Sequence, residues 1–268
     1  MPLGTYNMLR QKLHSDRNLH RSYKFLKSLP SVPLSQMTSV RKYATAWSVM
    51  THSMLPLGRM MGTIDLVRDI NSKNVKGDIV ECGVWSGGGL GLMALADLPL
   101  SETRQYVGFD SFEGLPAPTA EDDEVFNTYA KSRSVEEVIT DTEQATRTAI
   151  GACVGARVPE VEAFLVDELG IPKNRLDLVP GWFADTLPNW VGLKRSIALL
   201  RIDGDWYQST YDALDNMYGL VQPGGIVTID DYGAFTGCRK AVEDFFHARS
   251  ISPDIHKIDS ECIWFRVG

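Results

Sequence analysis

Four aspartates stand where apolar runs give way to loops. Asp203-Gly204-Asp205 follows IALLRI at 197–202, and Asp230-Asp231 follows IVTI at 226–229. Carboxylates gathered at the exits of adjacent strands repel one another, and their pKa values rise unless a cation compensates. An oxygen-only set with no accompanying histidine or cysteine cluster suits a hard divalent ion such as Mg2+, completed by water or substrate oxygens, better than zinc. The competing reading makes the same acids helix caps or surface charges, which are common at strand ends.

A second constellation precedes these acids: Glu81-Cys82-Gly83-Val84-Trp85-Ser86-Gly87-Gly88-Gly89. A dinucleotide fingerprint needs glycine where Trp85 stands, because the pyrophosphate must approach the backbone there. Trp85 therefore counts against a nicotinamide cofactor. A carboxylate two residues before a tight glycine turn suits a cationic ligand without phosphates, and S-adenosylmethionine has those properties; a purely structural strand-to-helix turn is the alternative. Asp110 closes YVGFD, where an acid can accept hydrogen bonds from both ribose hydroxyls or cap a helix.

These residues need a sheet whose strand ends lie side by side. After residue 75, short β-branched runs alternate with longer helical stretches, the pattern of a parallel sheet covered on both faces. Strands are expected at 78–82, 106–110, 176–179, 197–203 and 226–230. Two terminal runs, 254–259 and 262–267, are joined by a link too short for a crossover, which predicts a hairpin. The sum is a Rossmann-like α/β sheet of seven strands with the last antiparallel, resembling the class I methyltransferase fold. An N-terminal helical extension covers 1–60 and the main domain 61–268, with an irregular insertion about 116–160 that reads as a lid.

Four ordered motifs carry a closer resemblance: Glu81-Cys82-Gly83-Val84-Trp85, Asp110-Ser111-Phe112-Glu113-Gly114-Leu115-Pro116, Gly181-Trp182-Phe183-Ala184-Asp185-Thr186-Leu187-Pro188 and Asp230-Asp231-Tyr232-Gly233. Over roughly 45–268 the chain resembles the macrocin O-methyltransferase family, which methylates sugar hydroxyls of antibiotics. The resemblance implies that Glu81, Gly83, Val84, Gly87, Asp110 and Ser111 hold S-adenosylmethionine, and that Gly181 and Trp182 lie beside its adenine. Thr51, in Met50-Thr51-His52-Ser53, matches a segment that approaches the cofactor carboxylate. Asp203, Asp230 and Asp231 match metal-binding positions, and Asp205 matches a catalytic base, with His52 or Tyr232 as weaker candidates. A catechol-type O-methyltransferase and a non-catalytic cofactor-binding homologue are the competing functions. Residues between Val138 and Glu160 exceed the family pattern, so the acceptor sugar is not implied.

Composition bounds the rest. The chain has 268 residues, 44% hydrophobic, enough for one large core. A net charge of −7 argues against general nucleic-acid binding. No run is long enough for a membrane span, no leader is visible, and four scattered cysteines fit a reducing, cytoplasmic setting. Residues 1–45 nevertheless hold eight Lys/Arg against one acid. Such a basic arm either packs against another subunit of a homodimer or larger homo-oligomer, or attracts an anionic acceptor such as a nucleotide sugar.

Overall fold

The computed structural model describes residues 17–29, 39–122, 147, 149, 153–193 and 195–268. Five parallel strands form where the β-branched runs predict them: β1 (Asp78–Cys82), β2 (Tyr106–Asp110), β3 (Leu176–Pro180), β4 (Ile197–Ile202) and β5 (Val221–Ile229). The terminal hairpin is β6 (His256–Lys257) and β7 (Ile263–Arg266), both shorter than the expected runs. Strand β5 is longer than expected because it begins before Pro223-Gly224-Gly225; its pairing with β4 shifts register there, which hides the strand period.

The strand order is β3-β2-β1-β4-β5-β7-β6, with β7 antiparallel to both neighbours. The expected seven-stranded α/β sheet is thus present. Alternation along each strand divides the core into two layers. Ile79, Leu199 and Ile226 face α2 (Val40–Val49), α3 (Leu57–Ser72) and α4 (Gly88–Asp97). Val80, Leu200 and Val227 face α6 (Phe183–Val191), α7 (Tyr207–Met217) and α8 (Thr236–Arg249). The short α5 (Val158–Ala163) joins the first layer through Val161.

Helix α3 runs unbroken across residue 60. Before α2 lies α1 (Arg17–Ser28), the described part of the basic arm. Its Lys24 donates to the carbonyls of Met50 (3.4 Å) and Ser53 (3.3 Å), and its Arg21 guanidinium lies 4.7 Å above the Trp47 ring. Arg10 and Lys12 lie outside the described residues, as do Ser134–Val138 and most of the expected lid. Among the described residues the four cysteines form no disulfide. Among the described residues no helix is long and apolar enough to cross a membrane.

Candidate functional site

Strand order reverses between β1 and β4, so the loops leaving their carboxyl ends diverge and open a crevice. A cavity of about 250 Å³ occupies it. Gly83 lets the two loops meet: its φ is +98°, and a Cβ there would stand 1.9 Å from the Asp203 carbonyl oxygen. Trp85 (φ +50°) and Asp205 (φ +58°) also hold left-handed backbone, an arrangement that costs about 1–3 kcal/mol at each non-glycine residue. Part of that is offset by Asp110, whose Oδ2 accepts from the amides of Val84 (2.7 Å) and Trp85 (2.8 Å).

Two arginines organise the acids below the cavity. Arg201, on β4, donates from Nη1 to Glu81 Oε1 and Asp203 Oδ2, each at 2.8 Å, and its Nη2 pairs with Asp230 Oδ1 at 2.7 Å. Arg59, on α3, reaches Asp230 Oδ2 at 2.7 Å, and is itself held by Asp259 (2.7 Å) and Glu261 (2.6 Å) of the hairpin loop. Each oxygen of Asp230 thus faces its own guanidinium. Burial raises the Asp230 pKa and the Asp203 charge adds to the rise, while Arg201 and Arg59 oppose it. Burial also pushes Glu81 up to about 8 against the attraction of Arg201.

Asp203, Asp205 and Asp231 converge separately, with one carboxylate oxygen from each lying within 4.8 Å of the others. Burial and mutual repulsion hold the carboxyls of Asp205 and Asp231 well above the ordinary carboxylate range. Asp231 Oδ2 is buried without a hydrogen-bond partner. A buried, unpartnered acid beside two more acids is what a hard cation would satisfy, so these residues fit a divalent ion. The grouping differs from the expected metal set Asp203, Asp230 and Asp231. Asp205 stands in the trio, because two arginines draw Asp230 to the adjoining network.

Glu81, Gly83, Val84, Asp110, Ser111 and Trp182, six of the residues expected to hold the cofactor, line the same cavity. Glu81 Oε2 is buried without a hydrogen-bond partner, so the second oxygen of this acid is uncommitted. Asp110 is more committed than its sequence position suggests. Its Oδ1 also accepts from Phe112 N–H (2.7 Å), so three backbone amides use the carboxylate and limited acceptor capacity is left for a ribose. Thr51, Gly87 and Gly181 are not in the wall. A Cβ at Gly87 would meet Val161 at 3.0 Å, while Gly181 turns the chain from β3 with its amide on the Asp110 carbonyl (2.9 Å).

Of the weaker base candidates, His52 lines the cavity, its ring stacked on Phe164 at 3.6 Å, whereas the Tyr232 hydroxyl donates to Glu243 (3.3 Å) and stays out of the wall. The sequence reading passed over Arg59, Arg201, Ser209 and Asp212, all of which line the cavity. A signal for Arg201 was present: a charge inside a wholly buried strand needs buried partners. Nothing comparable marks Arg59, because its partners are some 200 residues away.

Known proteins resemble this chain in sequence and in fold. The family profile described as Macrocin-O-methyltransferase (TylF) matches residues 7–267. An 8-demethyl-8-(2,3-dimethoxy-alpha-L-rhamnosyl)-tetracenomycin-C 4'-O-methyltransferase of Streptomyces olivaceus is 33% identical over 82% of this chain and 77% of that protein. Demethyldecarbamoylnovobiocin O-methyltransferase of Streptomyces niveus is 31% identical over 85% and 80% respectively. Among solved structures, the O-methyltransferase NovP aligns over 81% of this chain and 82% of that chain, with a TM-score of 0.63 and 29% identity. With the strand order above, the architecture is the class I methyltransferase fold.

Proposed function

The chain belongs to the macrocin O-methyltransferase family, and from that premise we propose that it methylates a sugar hydroxyl of a natural product, using S-adenosylmethionine and Mg2+. The observation that carries the reading is one cavity lined both by Glu81 and Asp110 and by the converging carboxylates of Asp203, Asp205 and Asp231. S-adenosylmethionine, when bound, supplies an electrophilic sulfonium methyl, and the divalent ion supplies Lewis acidity that lowers the pKa of a hydroxyl.

Each side chain then has a task. Glu81, which lines the cavity, would meet the cationic end of the cofactor, and Asp110 fixes the glycine loop through its amides. Asp203 and Asp231 belong to both the expected and the observed acidic groupings and would hold the ion. Asp205, raised in pKa and set at the head of α7, is suited to accept the acceptor's hydroxyl proton. Trp182 also lines the cavity and would lie beside the adenine.

A methyl-transfer assay with S-adenosylmethionine and Mg2+ across glycosides, nucleotide sugars and catechols tests the reading. Turnover of a sugar that stops with EDTA and returns with Mg2+ is expected. Turnover of catechols alone, or full activity in EDTA, would overturn it.

A further inference from the structure

The cavity continues past the acidic trio along α7, where Ser209 and Asp212 both line it. They are three residues apart and so share one helix face, separated by about 4.5 Å along the axis. Ser209 stands at the reactive end, because a Cβ at Gly204, the neighbour of Asp205, would lie 3.0 Å from the Ser209 Cβ. Asp212 stands one step outward.

Both side chains are prepared for a ligand. Ser209 is 8% exposed, and its hydroxyl makes no hydrogen bond among the described residues. Asp212 uses Oδ1 to accept from Gln208 Nε2 at 2.7 Å, while Oδ2 makes no hydrogen bond among the described residues. Gln208 therefore fixes the carboxylate without exhausting it. Burial raises the Asp212 pKa against the Gln208 hydrogen bond and a weaker attraction to Arg147, whose guanidinium is bonded to both oxygens of Asp185. Trp182, Phe183 and Ala184 line the same cavity beside this pair.

Aromatic side chains, a fixed carboxylate and a hydroxyl lining one cavity are chemistry for a sugar ring, whose apolar face stacks while its hydroxyls donate to the acid. We propose that Ser209 and Asp212 bind two hydroxyls of the acceptor sugar next to the one methylated, and so select which hydroxyl reaches Asp205. The inference rests on the sugar O-methyltransferase reading and adds to it the residues that recognise the acceptor. The negative charge of Asp212 makes this end a poor place for a diphosphate, which puts any nucleotide portion elsewhere.

The test uses the full-length protein with S-adenosylmethionine, Mg2+, a panel of p-nitrophenyl hexosides and 6-deoxyhexosides, and the corresponding thymidine-diphosphate sugars. On whichever sugar the wild type methylates, Asp212→Asn should raise acceptor KM about tenfold or more, and Ser209→Ala should raise it severalfold. The cofactor dissociation constant by calorimetry should stay unchanged. With deoxy analogues lacking a hydroxyl beside the methylated one, one analogue should be insensitive to Asp212→Asn, which a merely structural role would not produce. Unchanged KM in both variants, or equal sensitivity on every deoxy analogue, overturns the assignment. If the wild type binds S-adenosylmethionine yet methylates no sugar, the sugar reading fails and this proposal fails with it.

Discussion

Arg201 Nη1 lies 2.8 Å from Glu81 Oε1, with the guanidinium side chain 2% and the carboxylate side chain 1% exposed. The same nitrogen contacts Asp203, so one cation joins the proposed cofactor side of the cavity to the acidic side. Removing one partner of a buried ion pair strands the other charge, at a cost of about 3–5 kcal/mol. Arg201→Met should lose about that much stability in urea unfolding. Glu81→Gln placed in the Arg201→Met background should recover part of it, since a neutral amide no longer needs the guanidinium. Additive losses in the double variant would show that the pair is not coupled.

The two neighbouring aspartates should respond in opposite directions. Asp230 is spanned by Arg59 and Arg201, so Asp230→Asn leaves two buried cations undercompensated and should destabilise the fold by about 2 kcal/mol or more. Asp231 is crowded by Asp205 and Asp203, and Asp231→Asn removes that repulsion. In EDTA, Asp231→Asn should therefore be at least as stable as wild type by thermal melting. If the trio binds Mg2+ as proposed, the ion should raise the wild-type melting temperature and raise that of the variant less. A less stable Asp231→Asn protein in EDTA would contradict the repulsion argument.

Asp259 gives a pH prediction with a definite sign. Burial pushes its pKa up, but hydrogen bonds from Arg59 and from the amides of Cys262 and Glu261 outweigh burial and leave it below its ordinary value of 3.8. A carboxylate lowered in the folded state stabilises the fold above its unfolded pKa and loses that contribution as pH falls through the folded pKa. Wild type should exceed Asp259→Asn by about 1–2 kcal/mol above pH ~5, a figure moderated by solvent screening, and the gap should close below pH ~4. A gap that is constant down to pH ~2 would assign the effect to neutral hydrogen bonding.

The strands were legible because period-two alternation with β-branched residues is local: Ile79 and Val80 announce opposite core layers within two positions. The acids of the site were legible for the same reason, since Asp110, Asp203 and Asp230 directly follow apolar runs. What neutralises them was not. Arg59 sits on a helix and meets Asp230, Asp259 and Glu261 only after the sheet has formed. These nonlocal contacts bind Asp230 to two arginines and leave Asp203, the third acid on Arg201, also in the acidic trio with Asp205 and Asp231. Residue spacing could name the acids but could not divide them. Ser209 and Asp212 are ordinary residues of an amphipathic helix until the cavity gives them a common face.

The basic arm yields the last prediction. Eight Lys/Arg in residues 1–45 suggest an attraction for an anionic acceptor, but the described contacts turn several of these cations inward. Arg21 stacks on Trp47, Lys42 pairs with Asp65, and Lys24 donates to the carbonyls of Met50 and Ser53. Ser53 and the adjacent His52 line the cavity. Helix α1 therefore braces the turn at the cavity rim, and burial already lowers the pKa of Lys24. Lys24→Met removes two charge-assisted bonds to that turn, so cofactor affinity by calorimetry should fall severalfold. Acceptor KM should stay nearly flat as salt rises through the range where the Debye length shrinks from about 10 Å to about 3 Å. A steep rise of KM with salt that disappears when residues 1–27 are deleted would return the arm to substrate attraction. Loss of assembly on that deletion, with both constants unchanged, would assign it to subunit packing.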